Sequence, residues 1–139
     1  METRIVEVEA FTVKGYGMQG PVSEIPGKWE ELNAEIAKQH VLAEESFGLC
    51  LAMKGEEFHY IAGIKSELAE GLPDTEEAIV PAGRFIVGQV DGGVQEIPTA
   101  FNAVMQTDGI QLRNSFSFER YVHPEGSEGY AIEVWVPIE

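Results

Sequence analysis

Apolar residues recur at every second position near the end of the chain. Tyr130, Ile132, Val134, Val136 and Ile138 fall on one side of a strand, and Glu133 and Trp135 on the other. Strand patterning also covers Arg4 to Val13, Ser46 to Met53, Phe58 to Ile64, Gly83 to Val90, Ile110 to Arg113 and Phe116 to Val122. Between the strands the period changes. Ile25, Trp29, Leu32 and Ile36 recur at spacings of 4, 3 and 4, which makes one stripe of an amphipathic helix. Pro26 suits its first turn, where a missing N–H costs little. Ile97, Phe101 and Val104 mark a second, similar helix. The glycines of Gly15-Tyr16-Gly17-Met18-Gln19-Gly20 are expected to bend the chain between strand and helix. Lys54 to Glu57 reads as a hairpin turn and Leu68 to Pro73 as a linker.

The two helices open on related segments. Gly20-Pro21-Val22-Ser23-Glu24-Ile25-Pro26-Gly27-Lys28-Trp29 aligns with Gly92-Gly93-Val94-Gln95-Glu96-Ile97-Pro98-Thr99-Ala100-Phe101 at an offset of 72, with five of ten positions identical. The expectation is a single α+β domain over 1–139, built from two βαββ halves at about 1–67 and 74–139. Its sheet is antiparallel, both helices lie on one face, and the halves are related by a pseudo-twofold.

Charge narrows the choice of partner. Nine Lys and Arg against 24 Asp and Glu leave a net charge of −15 in 139 residues. Such a surface repels phosphate backbones and anionic membranes and favours positively charged ligands. No basic stripe interleaves with aromatics, so no direct nucleic-acid contact is expected. No apolar run is long enough to cross a bilayer, and the charged N-terminus reads as a first strand rather than a signal sequence. The single cysteine, Cys50, lies among leucines, which fits a buried thiol in the cytoplasm.

Several motifs fail on context. Gly15 to Gly20 matches G-x-G-x-x-G, but Pro21 follows and the helix begins later than a dinucleotide site requires. His40, His59 and His123 stand apart from one another and from Cys50, so no metal site is assigned, and neither a cofactor nor a catalytic nucleophile. Two carboxylates differ from the many surface acids. Glu133 shares its strand side with Trp135. In the preceding strand Phe116 and Phe118 are expected under the helices, which leaves Ser117, Glu119 and Tyr121 on the far side with Glu133 and Trp135. That side is either a solvated sheet face carrying an incidental Trp or a site gathering two acids, an indole and a phenol.

Four segments resemble the GyrI-like, or AraC-effector-binding, small-molecule-binding domain family. They are Phe58-His59-Tyr60-Ile61-Ala62-Gly63-Ile64, Pro81-Ala82-Gly83-Arg84-Phe85-Ile86-Val87, Glu119-Arg120-Tyr121 and Ile132-Glu133-Val134-Trp135-Val136-Pro137-Ile138. The resemblance implies a pocket near the pseudo-twofold axis, with Glu119 as counter-charge to a cationic, often aromatic compound. Tyr60, Tyr121, Trp135 and Glu133 are further candidate ligand contacts. Many members carry a helix-turn-helix segment, which this chain has no residues left to form, so a stand-alone sensor or sequestering module is expected. Two other roles follow from the resemblance. One is a hydrolase using Glu119 and Glu133 as an acid/base pair; the other is an acidic protein that binds and modulates a DNA-binding enzyme such as gyrase.

Overall fold

The computed structural model describes residues 2–122 and 131–139. Eight strands form one antiparallel sheet: β1 Thr3–Val8, β2 Phe11–Pro21, β3 Glu45–Lys54, β4 Glu57–Lys65, β5 Glu76–Val80, β6 Gly83–Val90, β7 Phe118–Val122 and β8 Ala131–Ile138. Helix α1 spans Ile25–Lys38 and α2 spans Ile97–Met105. Each follows a short 3-10 turn, at Val22–Glu24 and Val94–Glu96. Across the sheet the order is β1-β6-β8-β7-β3-β4-β2-β5. Exchanging β1 to β4 with β5 to β8 returns the same order reversed, and the helices begin 72 residues apart, the offset of the sequence repeat.

Both helices pack on one face, α1 over β2 and β4 and α2 over β6 and β8. Leu32, Tyr16, Ala62 and Ile64 fill the α1 side; Ala100, Val104, Ile86 and Val134 fill the α2 side. Burying each larger aliphatic side chain contributes about 1.5–3 kcal/mol. The alternation in β8 therefore does what its pattern implies, placing Ile132, Val134, Val136 and Ile138 under the helices.

The opposite face is also a core. Phe47, Phe85, Phe118 and Trp135 cluster there with Val6 and Val8 of β1 and Ala78 and Val80 of β5. Strands β1 and β5 are the two ends of the sheet order, so one cluster gathers both only if the sheet curls onto itself. This curl explains how both faces bury aromatic rings.

Four sequence expectations change. The first strand divides into β1 and β2, and β5 lies beyond the expected linker, so each helix is preceded by two strands rather than one. The glycine-rich segment from Gly15 to Gly20 belongs to β2 rather than to a bend. A Cβ on Gly15 would stand 1.9 Å from the Ala62 carbonyl oxygen, so glycine allows the close approach of β2 to β4. Within Ile110 to Arg113 only an isolated bridge, Leu112 to Ile138, forms. Finally, β7 is turned over. Phe118 lies with Trp135 in the second core, and Glu119 and Tyr121 face the helices. Tyr130 and His123 fall outside the described residues. Among those described, no helix is long and apolar enough to cross a membrane.

Candidate functional site

Strands β3 and β7 form the middle of the sheet, paired with Glu119 opposite Gly48 and Tyr121 opposite Ser46. Above this pair the starts of α1 and α2 leave a cavity of about 590 Å³. Its two walls come from the repeat: Val22, Ile25 and Pro26 on one side, Val94, Ile97 and Pro98 on the other. These are three of the five residue types shared at offset 72. Val22 and Val94 are 57% and 52% exposed, so the mouth of the cavity presents apolar surface to water.

The floor is polar. Glu119 is only 9% exposed, and its Oε1 accepts hydrogen bonds from the Tyr60 and Tyr121 hydroxyls, each at 2.8 Å. Trp29, on α1, donates its indole N–H to the Tyr60 oxygen at 3.0 Å and packs edge-on against Tyr121 with ring centroids 4.8 Å apart. A line of donors thus runs from the helix to the acid. Burial raises the Glu119 pKa above the ordinary carboxylate range, and the two phenols only partly offset this. Burial also pushes the Tyr60 phenol well up, with the adjacent Glu119 charge adding to the effect. The Tyr60 phenol therefore remains a protonated donor at neutral pH.

Gly48 makes the arrangement possible. A Cβ there would lie 2.0 Å from the Tyr60 hydroxyl oxygen and 2.6 Å from Glu119 Oε1. The acid and the phenol meet in the space that the missing side chain leaves.

Of the five residues proposed from sequence, the structure brings together Glu119, Tyr60 and Tyr121. Glu133 and Trp135 lie on the opposite face. There Glu133 accepts from Arg4 Nη2 at 2.6 Å, Arg120 Nη1 at 2.9 Å and the Trp135 indole at 3.1 Å. Burial pushes the Glu133 pKa up, but these donors outweigh it and the net shift is downward. Trp135 stacks on Phe118, centroids 5.3 Å apart at 21°. Two acids on opposite faces make no acid/base pair across one substrate. The sequence reading missed Trp29 and Ser46, which line this cavity, and Gly48, which lies against the Tyr60 hydroxyl and Glu119. Trp29 was assigned to the helix stripe, yet an indole N–H on the packed side of a helix seeks an acceptor. Its repeat partner Phe101 has no such group, and that contrast was visible in the alignment.

Over residues 1–139 the chain matches the family model of the GyrI-like small molecule binding domain. The transcriptional regulator BrlR of Pseudomonas aeruginosa is 33% identical over 135 residues, covering 87% of this chain and 48% of that protein. The chain thus spans about half the length of this curated relative. Two solved structures share the fold. SAV2435 bound to tetraphenylphosphonium has a TM-score of 0.74 at 18% identity, covering 100% of this chain and 94% of that one. The EcmrR C-terminal domain has a TM-score of 0.73 at 14% identity, covering 99% and 97%.

Proposed function

The chain belongs to the GyrI-like small molecule binding domain family, and from that premise we propose that it binds a flat, lipophilic organic cation between its helices, with Glu119 as the counter-charge. The observation that carries this reading is the buried carboxylate of Glu119 at the floor of an apolar, two-walled cavity. A carboxylate withdrawn from water loses hydration. An incoming cation returns favourable interaction of about 4 kcal/mol at ~4 Å for an effective dielectric near 20. Trp29 and Tyr121 line the cavity with the acid, and a cation seated over either ring would gain roughly 0.5–2 kcal/mol through cation–π attraction. The net charge of −15 draws cations toward the mouth. SAV2435, a structural neighbour, binds tetraphenylphosphonium, a lipophilic aromatic cation that is tetrahedral rather than flat, which supports the charge and lipophilicity of the proposed ligand but not its shape.

The role we assign is that of a cytoplasmic sensor or sequestering module acting through the small molecule. This domain makes no direct contact with nucleic acid, in keeping with its acidic surface. A thermal-shift screen against flat cations, neutral analogues of the same size and aromatic anions tests the reading. A ligand that binds only the folded state raises stability with the logarithm of its concentration once saturating. Shifts confined to the cations are expected. Equal shifts with neutral analogues, or shifts with anions alone, refute it.

A further inference from the structure

The two oxygens of Glu119 are not equivalent. Oε1 accepts both phenols, while Oε2 accepts no hydrogen bond among the described residues. Nor is Oε2 sealed in the protein. Among the described residues, the buried side-chain atom without a partner is Glu35 Oε2, so Glu119 Oε2 keeps accessible surface in a side chain that lines the cavity. Three of the donors around it are committed elsewhere. Tyr60 and Tyr121 donate to Oε1, and Trp29 donates to Tyr60. Asn33 and Ser46 also line the cavity, and neither donates to Glu119. The floor therefore presents one largely desolvated anionic oxygen with open lone pairs, and a carboxylate in that condition gains most from a charged N–H donor.

Resting on the cation reading above, we propose that the ligand is a hydrogen-bond-donating cation whose N–H donates to Glu119 Oε2: a protonated amine, an amidinium or an N-protonated heteroaromatic. A quaternary onium ion of equal size and charge is disfavoured. Its charge is sheathed in carbon, so it cannot approach within hydrogen-bonding distance and leaves Oε2 unpaired.

A matched pair of ligands differing by one methyl group tests this. Calorimetric titration of the full chain near neutral pH compares protonated N,N-dimethyl-1-naphthylmethylamine with the N,N,N-trimethyl-1-naphthylmethylammonium ion. Neutral 1-naphthylmethanol serves as control. The expected result is that the protonated amine binds about tenfold more tightly than the quaternary ion, the scale of one hydrogen bond to a charged group. The extra methyl adds apolar contact and so works against this outcome. In Glu119→Gln the preference should disappear, because the substituted side chain has only one acceptor oxygen for the phenols and the ligand. The primary comparison needs only the parent protein, so it holds even if the variant fails to fold. Equal or tighter binding of the quaternary ion, with both cations well above the alcohol, overturns the donor proposal and leaves the cation reading standing. Cations that bind no better than the alcohol overturn both.

Discussion

Replacing Gly48 with alanine inserts one methyl group where the structure has no room for it. The new Cβ would lie 2.0 Å from the Tyr60 hydroxyl oxygen, 2.6 Å from Glu119 Oε1 and 2.8 Å from Tyr60 Cζ. Ordinary contact is about 3.5 Å, so the hydroxyl must retreat by roughly 1.5 Å. That carries it out of reach of both Glu119 and the Trp29 indole. Tyr60 is only 2% exposed, so packing restrains its ring on the sides away from the cavity. Losing the hydrogen bond to the acid costs about 1.5–3 kcal/mol, and overpacking a further ~1–3 kcal/mol. Replacing a strand glycine recovers about 0.5–1 kcal/mol. The net loss is about 2–5 kcal/mol, or a fall in Tm of roughly 6–15 °C for a chain of this size. Urea unfolding of the parent, Gly48→Ala, Tyr60→Phe and the double variant checks the mechanism as a double-mutant cycle. Tyr60→Phe removes the atom that the methyl strikes first, so the alanine should cost less in that background. An equal cost in both backgrounds, or a cost below about 0.5 kcal/mol in the parent, refutes the reasoning.

The raised Glu119 pKa fixes the sign of two pH effects. Cation affinity should fall as pH drops through that raised value, read by titrating one cation across the acid range. In the empty protein, ionising Glu119 costs stability, so the parent should lose stability relative to Glu119→Gln as pH rises through the same value, measured by urea unfolding. On the far face, Arg120 lies between Glu45, at 2.7 Å, and Glu133, at 2.9 Å. Arg120→Met should cost about 2 kcal/mol at neutral pH, less than a fully buried pair because the side chains are partly exposed. Because the Glu133 pKa is lowered, its stabilisation is present above the ordinary carboxylate pKa and lost as pH falls through the lowered one. The Met variant should show less of that acid loss. A fragment of residues 1–73 should remain unfolded by circular dichroism, because β1 pairs with β6 and β2 with β5, both beyond its end.

What the sequence revealed depended on how many faces of an element are buried. Both helix stripes were legible because each helix buries one side, and β8 was legible because every second residue from Ile132 to Ile138 is apolar. In β7 the period of two correctly put Glu119 and Tyr121 on the same side, but which side was misjudged. The aromatic residues were assigned to the helix face on the assumption of a single core. The curled sheet has two, and Phe118 stacks with Trp135 in the second. No local pattern encodes that curl, which brings residues of β1 and β5, far apart in sequence, into one cluster. The same limit hid Gly48. A glycine inside a strand pattern signals close approach without naming what approaches, and here it is the pair Tyr60 and Glu119.

Calorimetric titration of the parent and Glu119→Gln, each with one flat aromatic cation and its uncharged isostere, tests the assignment of Glu119 most directly. The substitution keeps the shape of the side chain and removes its charge. Losing a desolvated charge pair commonly costs about 2–5 kcal/mol, so the cation should weaken by roughly 30-fold or more. The neutral isostere should bind both proteins about equally. A cation that binds Glu119→Gln as tightly as the parent would contradict the assignment of Glu119 as counter-charge.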